Sequence, residues 1–169
     1  MSHDGPGIDL TDTRAFRRTL GAFATGVAVV AAEGEDGTLV GMTMSSFNAV
    51  SLDPPLVLFS VARTALSLPA LRAARAYGIS VLARDQEDLS TRFARPHAEK
   101  WAGVTHLRGH GGAPLIAEAA AHLECVPHAI HDGGDHEIFV ARVVAHRAAP
   151  AEPLIFHAGR YRTLAAAVG

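Results

Sequence analysis

A cluster of polar side chains interrupts an otherwise apolar stretch at residues 41–55, whose sequence is GMTMSSFNAVSLDPP. Hydroxyl, thioether and amide groups come from Met42, Thr43, Met44, Ser45, Ser46 and Asn48. Hydroxyl groups beside a turn commonly cap backbone groups at a strand end. The same mixture also suits a flat heteroaromatic ring, because hydroxyl and N–H groups can meet its polar rim while Met and Val pack against its faces. The residues alone leave both interpretations open, and capping is the commoner one.

A second group of chemically active side chains lies in the sequence HDGGDHEI at residues 131–138. It contains His131, Asp132, Asp135 and His136, with His128 just upstream. Histidine and carboxylate groups bind divalent metals. These groups lie either side of a Gly-Gly turn, however, without a pair fixed on one helix, and ten histidines in the chain make chance clusters common. We therefore predict no metal site.

Several familiar catalytic and nucleotide-binding motifs are missing from the sequence. No G-x-G-x-x-G follows a strand, and no G-x-x-x-x-G-K-[ST] occurs, which argues against dinucleotide-binding and phosphate-binding loops of those types. There are no cysteine pairs for zinc or iron–sulfur chemistry and no G-x-S-x-G for a hydrolase serine.

The composition predicts one domain at residues 11–169, after a flexible N-terminus at residues 1–10. The 169 residues carry a net charge of -2 without a basic block, so nucleic acid is an unexpected partner. A lone cysteine, Cys125, excludes an intrachain disulfide and fits a reducing compartment. No leader pattern is found in MSHDGPGIDL, and no apolar run approaches the ~20 residues that cross a bilayer. We expect a cytoplasmic protein that is not membrane-bound.

Hydrophobic patterning predicts mostly strands, joined by turns and a few short helices. Thr11 or Asp12 would cap a first helix carrying Phe16, Leu20 and Phe23 on one side. Predicted strands cover residues 27–32, 38–44, 47–51, 56–61 and 76–82, and further helices cover residues 66–74 and 85–94. Residues 95–114 form a long loop with one short helix around Lys100. Two long strands flank the Gly-Gly turn, and a last strand lies within residues 153–164. Seven or eight strands of this kind favour a closed antiparallel barrel.

Motifs in a fixed order resemble those of the flavin reductase-like family, the small reductase components of two-component monooxygenases. They are FATGVAVV, GMTMSSFNAVSLDPPLVLFSV, LRAAR, ISVLA, LEC, GDHEIFVARV and PLIFHAGRYRTL, and the similarity around them extends over residues 16–164. The family pattern GMTxSSF-x-x-VS-x-x-PP is matched by residues 41–55. The resemblance implies a mainly β fold with short helices, a split β-barrel of the FMN-binding type with Greek-key antiparallel strands, and a homodimer.

The resemblance also implies a set of flavin contacts. Thr43, Met44, Ser45 and Ser46 would contact the isoalloxazine edge, with Asn48 close by. Ser60 and Val61 would lie beneath the ring and ribityl chain. The phosphate would be met by Arg63, Thr64 and Ser67, and by Arg92 beside Phe93. Leu66 stands where many relatives carry a polar or basic residue, which predicts a sparser phosphate site.

The electron donor would bind near the Gly-Gly turn. By resemblance, Gly134, Asp135 and His136 form a turn beside the flavin, His136 reaches the nicotinamide nucleotide, and Asp135 helps to set the tautomer of its ring. Tyr161 would lie near the nicotinamide side of the flavin, although a half-buried structural aromatic is an equal alternative. Lys100 and Trp101 could cover the flavin or the partner subunit.

The predicted activity is that of an NAD(P)H:flavin oxidoreductase, which reduces FMN or FAD with NADH or NADPH and supplies reduced flavin to a separate oxygenase. Such an enzyme needs no obligatory acid or base for hydride transfer, because the cofactor carries the chemistry. A flavin-binding carrier or electron-transfer module without nicotinamide-dependent turnover is the main alternative. A split-barrel or metal-binding protein of another function is a third. The sequence does not distinguish FMN from FAD or NADH from NADPH.

Overall fold

The computed structural model of the chain describes residues 11–96 and 99–165. The N-terminal segment predicted to be flexible, residues 1–10, lies outside them. Across the described part, every helix is too short or too polar to span a membrane.

Short helices and many strands make up the described chain. The helices are α1 Thr13–Leu20, α2 Leu68–Ala73 and α3 Glu87–Ala94, with a 3-10 turn at His110–Gly112. The first strands are β1 Thr25–Gly26, β2 Ala28–Glu33, β3 Leu39–Met44, β4 Asn48–Leu52, β5 Pro55–Ala62 and β6 Tyr77–Val81. They are followed by β7 His106–Arg108, β8 Pro114–Ile116, β9 Ala121–Gly133, β10 His136–Ala148, β11 Ile155–His157 and β12 Arg160–Arg162.

All the strand pairs are antiparallel, as predicted. The main sheet has seven strands in the order β3-β2-β6-β9-β10-β5-β4, while β1-β11-β12 and β7-β8 form two smaller sheets. Strands β3 and β4 stand at opposite ends of the order of the main sheet, yet only residues 45–47 join them. So short a link requires the sheet to curve until its two ends approach each other. The link lies in the polar stretch that the sequence singled out.

Strand β2 explains why the chain can pack on two sides at once. Alternate residues of a strand point to opposite faces, and the run from Val27 to Ala32 is buried on both. Ala28 and Val30 join one hydrophobic core with Phe59, while Val27 and Val29 join a second core with Phe93. The unbroken apolar sequence is therefore a central strand between two cores, as expected for strands covered on both faces.

Three aromatic rings form the centre of the first core. Phe59 and Phe139 stack with their ring centroids 5.2 Å apart, and Tyr77 meets Phe59 edge-on at 5.3 Å. The Tyr77 hydroxyl donates to the Leu71 carbonyl at 3.0 Å, and burial raises the pKa of Tyr77 to about 12. This cluster ties β5, β6 and β10 together and fixes α2 above them.

The helices begin and end near the predicted residues. Asp12 caps α1, since its Oδ1 accepts from the backbone N–H groups of Arg14 at 3.0 Å and Ala15 at 2.9 Å. The apolar side predicted for this helix is largely exposed to solvent instead of packed against a core. The helix ends at Leu20, before Phe23, and no residue of it is buried.

The structure corrects the sequence prediction at three points. The described chain contains twelve strands rather than seven or eight, because short pieces such as β1 and β7 are too brief to show an alternating pattern. The predicted loop at residues 95–114 contains strand β7 and the 3-10 turn, with turns instead of a helix beside Lys100. The predicted last strand is a hairpin of β11 and β12, reversed at Ala158 and Gly159, which both have positive φ.

Candidate functional site

A cleft of about 480 Å³ opens beside strand β3. Its walls come from three separate pieces of chain: residues 38–43, the segment 64–67 after β5, and the end of α3 with Pro96 and Lys100. Met42, Leu66 and Phe93 supply apolar surface, while Thr43, Thr64 and Ser67 bring hydroxyl groups. A volume of this size and an apolar lining with a few polar groups are typical of small-molecule sites.

Among the described residues that line this cleft, Lys100 is the one that is ionisable. Its Nζ donates to the Gly41 carbonyl at 3.1 Å and to the Phe93 carbonyl at 2.9 Å. None of the salt bridges within residues 11–96 and 99–165 includes it, and burial lowers the pKa of its ammonium group. An ammonium held by two neutral carbonyls keeps a third donor and its charge for an anion. From the sequence, Lys100 was predicted only to cover the flavin or the partner subunit. The residues that contact it in the fold could not be inferred, because a loop has no regular pattern.

Thr43 connects the cleft to the second core. Its hydroxyl donates to the Ser90 carbonyl at 2.7 Å, and the Ser90 hydroxyl shares a 2.8 Å hydrogen bond with the Tyr161 hydroxyl. Tyr161 packs edge-on against Phe156 with centroids 5.4 Å apart. These contacts place Tyr161 in a structural link between α3 and β12, as in the alternative interpretation of that residue.

Ser46 fastens the predicted flavin segment to strand β5. Its Oγ accepts from the Ser60 backbone N–H at 3.0 Å and donates to the Ser60 carbonyl at 3.3 Å. Asn48 bends back on itself, since its Oδ1 accepts from the Ala49 N–H at 2.9 Å. Ser45, directly before Ser46, is exposed. The segment is therefore held in a defined shape beside one exposed hydroxyl.

Three residues predicted to touch the flavin have buried side chains. Val61 and Met44 lie in the first core, 0% and 7% exposed. Phe93 is also fully buried from solvent, although its ring and backbone form part of the cleft wall. Any contact from Val61 or Met44 to a flavin would thus have to come from their backbone atoms.

Both arginines predicted for the phosphate are already engaged within the chain. Arg92 donates from Nη2 to the Ala102 carbonyl at 2.6 Å. Arg63 follows β5 directly, and its guanidinium bonds to Asp132, Gly134 and Glu137. Their phosphate contacts stay predictions. To make such a contact, each guanidinium would have to give up hydrogen bonds that it already forms within the chain.

The turn between β9 and β10 carries His136. Gly134 takes φ +76, the left-handed conformation that glycine adopts without strain, and its N–H donates to Asp132 Oδ1 at 2.8 Å. His136 Nδ1 lies 2.7 Å from Asp135 Oδ1, and the interaction lowers the pKa of the Asp135 carboxyl. A carboxylate at Nδ1 favours the tautomer with its proton there, which makes Nε2 of the partly exposed imidazole a hydrogen-bond acceptor. Within the described residues, no group of three His, Cys, Asp or Glu side chains is arranged to hold a metal ion.

The likeness to known proteins agrees with this arrangement. The sequence model described as the flavin reductase like domain matches residues 20–165. The chain belongs to the flavin reductase-like family. Its mainly β, antiparallel fold is that of the family's split-barrel members, as predicted.

Individual relatives match over most of the chain. The stachydrine N-demethylase reductase subunit of Rhizobium meliloti is 40% identical over 153 residues, 90% of this chain and 66% of that relative. A second relative from the same organism is matched over 50% of its length, so the chain spans between half and two thirds of these two proteins. An NADH-dependent FAD reductase of Streptomyces globisporus is 41% identical over 164 residues, 94% of this chain and 89% of the relative.

Among solved structures, one similar chain is the NADH:FAD oxidoreductase of Streptomyces globisporus C-1027 in complex with NAD and FAD fragments. It has a TM-score of 0.91 and 39% sequence identity, and the match covers 98% of this chain and 100% of that one. The family and the whole fold are therefore shared with a flavin reductase of nearly the same length.

Proposed function

We propose that this chain is an NADH-dependent flavin reductase. The observation that carries the proposal is its match along 98% of its length to an NADH:FAD oxidoreductase that binds NAD and FAD fragments. The names of other relatives, which include an NADH-dependent FAD reductase and an NADH-dependent FMN reductase, support the same donor. A flavin carrier without turnover has no comparable support among these names.

The cleft beside β3 fits a flavin nucleotide in its own chemistry. Met42 and Leu66 offer apolar surface for the ring or ribityl chain, and Thr64 and Ser67 offer hydroxyl groups. Lys100 lines the cleft, has no salt bridge to any acidic residue that the structure describes, and would neutralise a phosphate. A hydrogen bond to a charged group contributes about 1.5 to 3 kcal/mol, so this one lysine would supply roughly a fifth to a third of the binding free energy of a micromolar complex.

A bound flavin would accept a hydride at N5 from C4 of the reduced nicotinamide, and with it both electrons. The protein's own part is to hold the two rings in contact, since orientation can lower a barrier by up to ~7 to 11 kcal/mol. His136 would hold the nicotinamide nucleotide through Nε2, while Asp135 fixes the orientation of its ring. The exposed Ser45 and the Ser46–Ser60 pair would frame the edge of the flavin.

The reduced flavin would then pass to a separate oxygenase, because one relative, from Rhodococcus jostii, is the reductase subunit of a flavin-dependent monooxygenase. Two copies of the chain would pair through apolar side chains that the fold leaves outside, among which Leu52 is 94% exposed and Phe23 is 77% exposed. A cytoplasmic location would suit the buried, unpaired Cys125.

Flavin titration followed by stopped-flow mixing tests the proposal. Binding would appear as quenching of flavin fluorescence when FMN or FAD is added to the purified protein, and NADH would then bleach the flavin absorbance. NADPH serves as the comparison donor and is expected to react more slowly. Tight flavin binding without bleaching by either donor would indicate the carrier, and absence of both binding and turnover would reject a flavin function altogether.

A further inference from the structure

Arg63 is bonded to the turn that carries His136 at four points. Its backbone N–H donates to the Asp135 carbonyl at 2.9 Å, and its Nε donates to the Gly134 carbonyl at 2.8 Å. Its two Nη atoms donate to Glu137 at 2.8 Å and to Asp132 at 3.1 Å. These partners lie on both sides of His136 in the sequence, so one guanidinium holds the whole reversal of the chain.

Glu137 holds the Arg63 guanidinium in place through a hydrogen bond from Nη1. It is buried, with its side chain 9% exposed, and it also accepts hydrogen bonds from Nε and Nη2 of Arg72 on α2. Arg72 first, and Arg63 with it, lowers the pKa of the Glu137 carboxyl. A buried carboxylate shared by two guanidinium groups is fully paired, and it fixes the position of both arginines.

The register of the strands makes His136 dependent on this arrangement. His136 pairs with Ala62, directly before Arg63, while Glu137 pairs with both Val61 and Asp132. A shift of the Gly134 or Asp135 carbonyl would therefore rotate the backbone next to the imidazole. The Asp135 side chain is 93% exposed, and its backbone is fixed by the Arg63 N–H on its own carbonyl and by the Arg63 Nε on the carbonyl of Gly134 before it.

Arg63 also lies apart from the cleft. The lining begins at the next residue, Thr64, and continues to Ser67 without Arg63. All the hydrogen bonds of its guanidinium described above go to the turn or to Glu137. We propose that Arg63 is a positioning residue that holds His136 in place for the nicotinamide nucleotide, and that it does not bind the flavin phosphate. The proposal rests on the proposed function of the same site.

Replacement of the guanidinium tests this directly. R63Q removes the bonds to Gly134 and Asp132 but leaves Glu137 paired with Arg72, so the fold should survive, as a melting curve would show. We expect KM for NADH to rise about tenfold at saturating flavin, while kcat and the flavin Kd change by less than about twofold. The matched control is R108Q, which breaks the exposed Arg108–Glu33 pair elsewhere and should change neither constant.

A double-mutant cycle with H136A separates positioning from direct binding. If Arg63 acts through His136, R63Q will add no further rise in KM when His136 is already Ala. R63K gives a second measurement, because lysine keeps the charge but cannot form the forked contacts; KM for NADH should stay raised.

Three results would overturn the inference. The first is a flavin Kd that rises tenfold in R63Q and returns to the wild-type value in R63K. The second is an additive effect of R63Q and H136A on KM for NADH, and the third is an unchanged KM for NADH in R63Q. Failure of the proposed function looks different, since the wild-type protein itself would then fail to oxidise NADH. The flavin titration of R63Q would still test the phosphate role in that case.

Discussion

Two cationic regions flank the end of strand β5, and they use their charge in opposite ways. At the turn, Arg63 and Arg72 are both paired with the buried Glu137. In the cleft, Lys100 is held by two neutral carbonyls and keeps its charge uncompensated by any acid in the described part of the chain. A charge neutralised within the protein fixes geometry, whereas a charge held only by dipoles remains available to an anionic ligand.

This difference between the arginines and Lys100 bears on which side chain would bind a phosphate. Residue type alone would favour the arginines. Arginine is the usual partner of phosphate because its planar fork matches the oxygens. Here the forks are occupied by the protein, and lysine, a compact point charge, faces the cleft. The availability of a cation depends on its neighbours rather than on its chemical preference.

The largest effect should follow from K100M, which keeps the length of the side chain and removes its charge. We expect the flavin Kd to rise by about ten- to a hundredfold, since a hydrogen bond to a charged group contributes about 1.5 to 3 kcal/mol. Fluorescence titration measures this. R95Q, on the same segment but outside the cleft lining, is the control and should leave the Kd unchanged.

The lowered pKa of Lys100 gives the same prediction a pH dependence. Deprotonation removes the positive charge, so flavin binding should weaken as the pH rises toward the usual lysine pKa of 10.5, and sooner than for an ordinary lysine. The weakening should be absent from K100M. An equal loss of affinity in both proteins would show that another group is responsible.

The next effect concerns the turn. H136A should raise KM for NADH about tenfold, by loss of one polar contact to the nucleotide, and leave the flavin Kd unchanged. Steady-state assays at saturating flavin measure the first constant and titration the second. H128A, at a histidine upstream on β9, is the comparison and should behave as wild type. Weaker flavin binding in H136A, with unchanged binding in H128A, would mean that the turn and the cleft are not separate sites.

A smaller effect should appear in the acid stability of the turn. The pKa of Glu137 is lowered in the folded protein, so its ionised form stabilises the fold at higher pH, and that stabilisation is lost as the pH falls through the lowered value. E137Q should therefore melt below the wild type at neutral pH, and the gap should narrow below pH 4.5, the usual glutamate value. Thermal melting across pH tests this, and a constant gap would contradict it.

The smallest effect should come from Y161F. Loss of the bond between the Tyr161 and Ser90 hydroxyls should cost about 0.5 to 1.5 kcal/mol of unfolding free energy, which lowers Tm by about 1–6 °C. KM for NADH should stay constant, because this hydroxyl serves the structure. A raised KM with an unchanged Tm would instead favour the position near the nicotinamide that the resemblance implied.

The sequence predicted the strands well where a hydrophobic pattern continued over many residues. Strand β2 and the hairpin of β9 and β10 show clear alternation or continuous apolar character, and the Gly-Gly turn marks the reversal between the latter two. Strands of two or three residues, such as β1 and β7, carry no such pattern, because their pairing depends on partners far away in the chain.

The candidate site was predictable in its residue types and less so in its pairings. The motif containing Ser46 indicated the flavin segment, and the turn motif indicated His136 with Asp135. The sequence did not show that Arg63 pairs with Glu137, since 74 residues separate them, or that Lys100 reaches the Gly41 carbonyl. Such contacts depend on tertiary distances that no local spacing encodes.

Trp101 gives the cleft a built-in optical reporter. It is the one tryptophan of the chain, and its ring meets Phe93, part of the cleft wall, edge-on with centroids 4.8 Å apart. Its buried indole nitrogen has no hydrogen-bond partner within residues 11–96 and 99–165, so its emission should be shifted to the blue. A flavin in the cleft would absorb that emission by energy transfer over a very short distance. Occupancy of the site can therefore be followed in the unlabelled protein from the light of a single side chain.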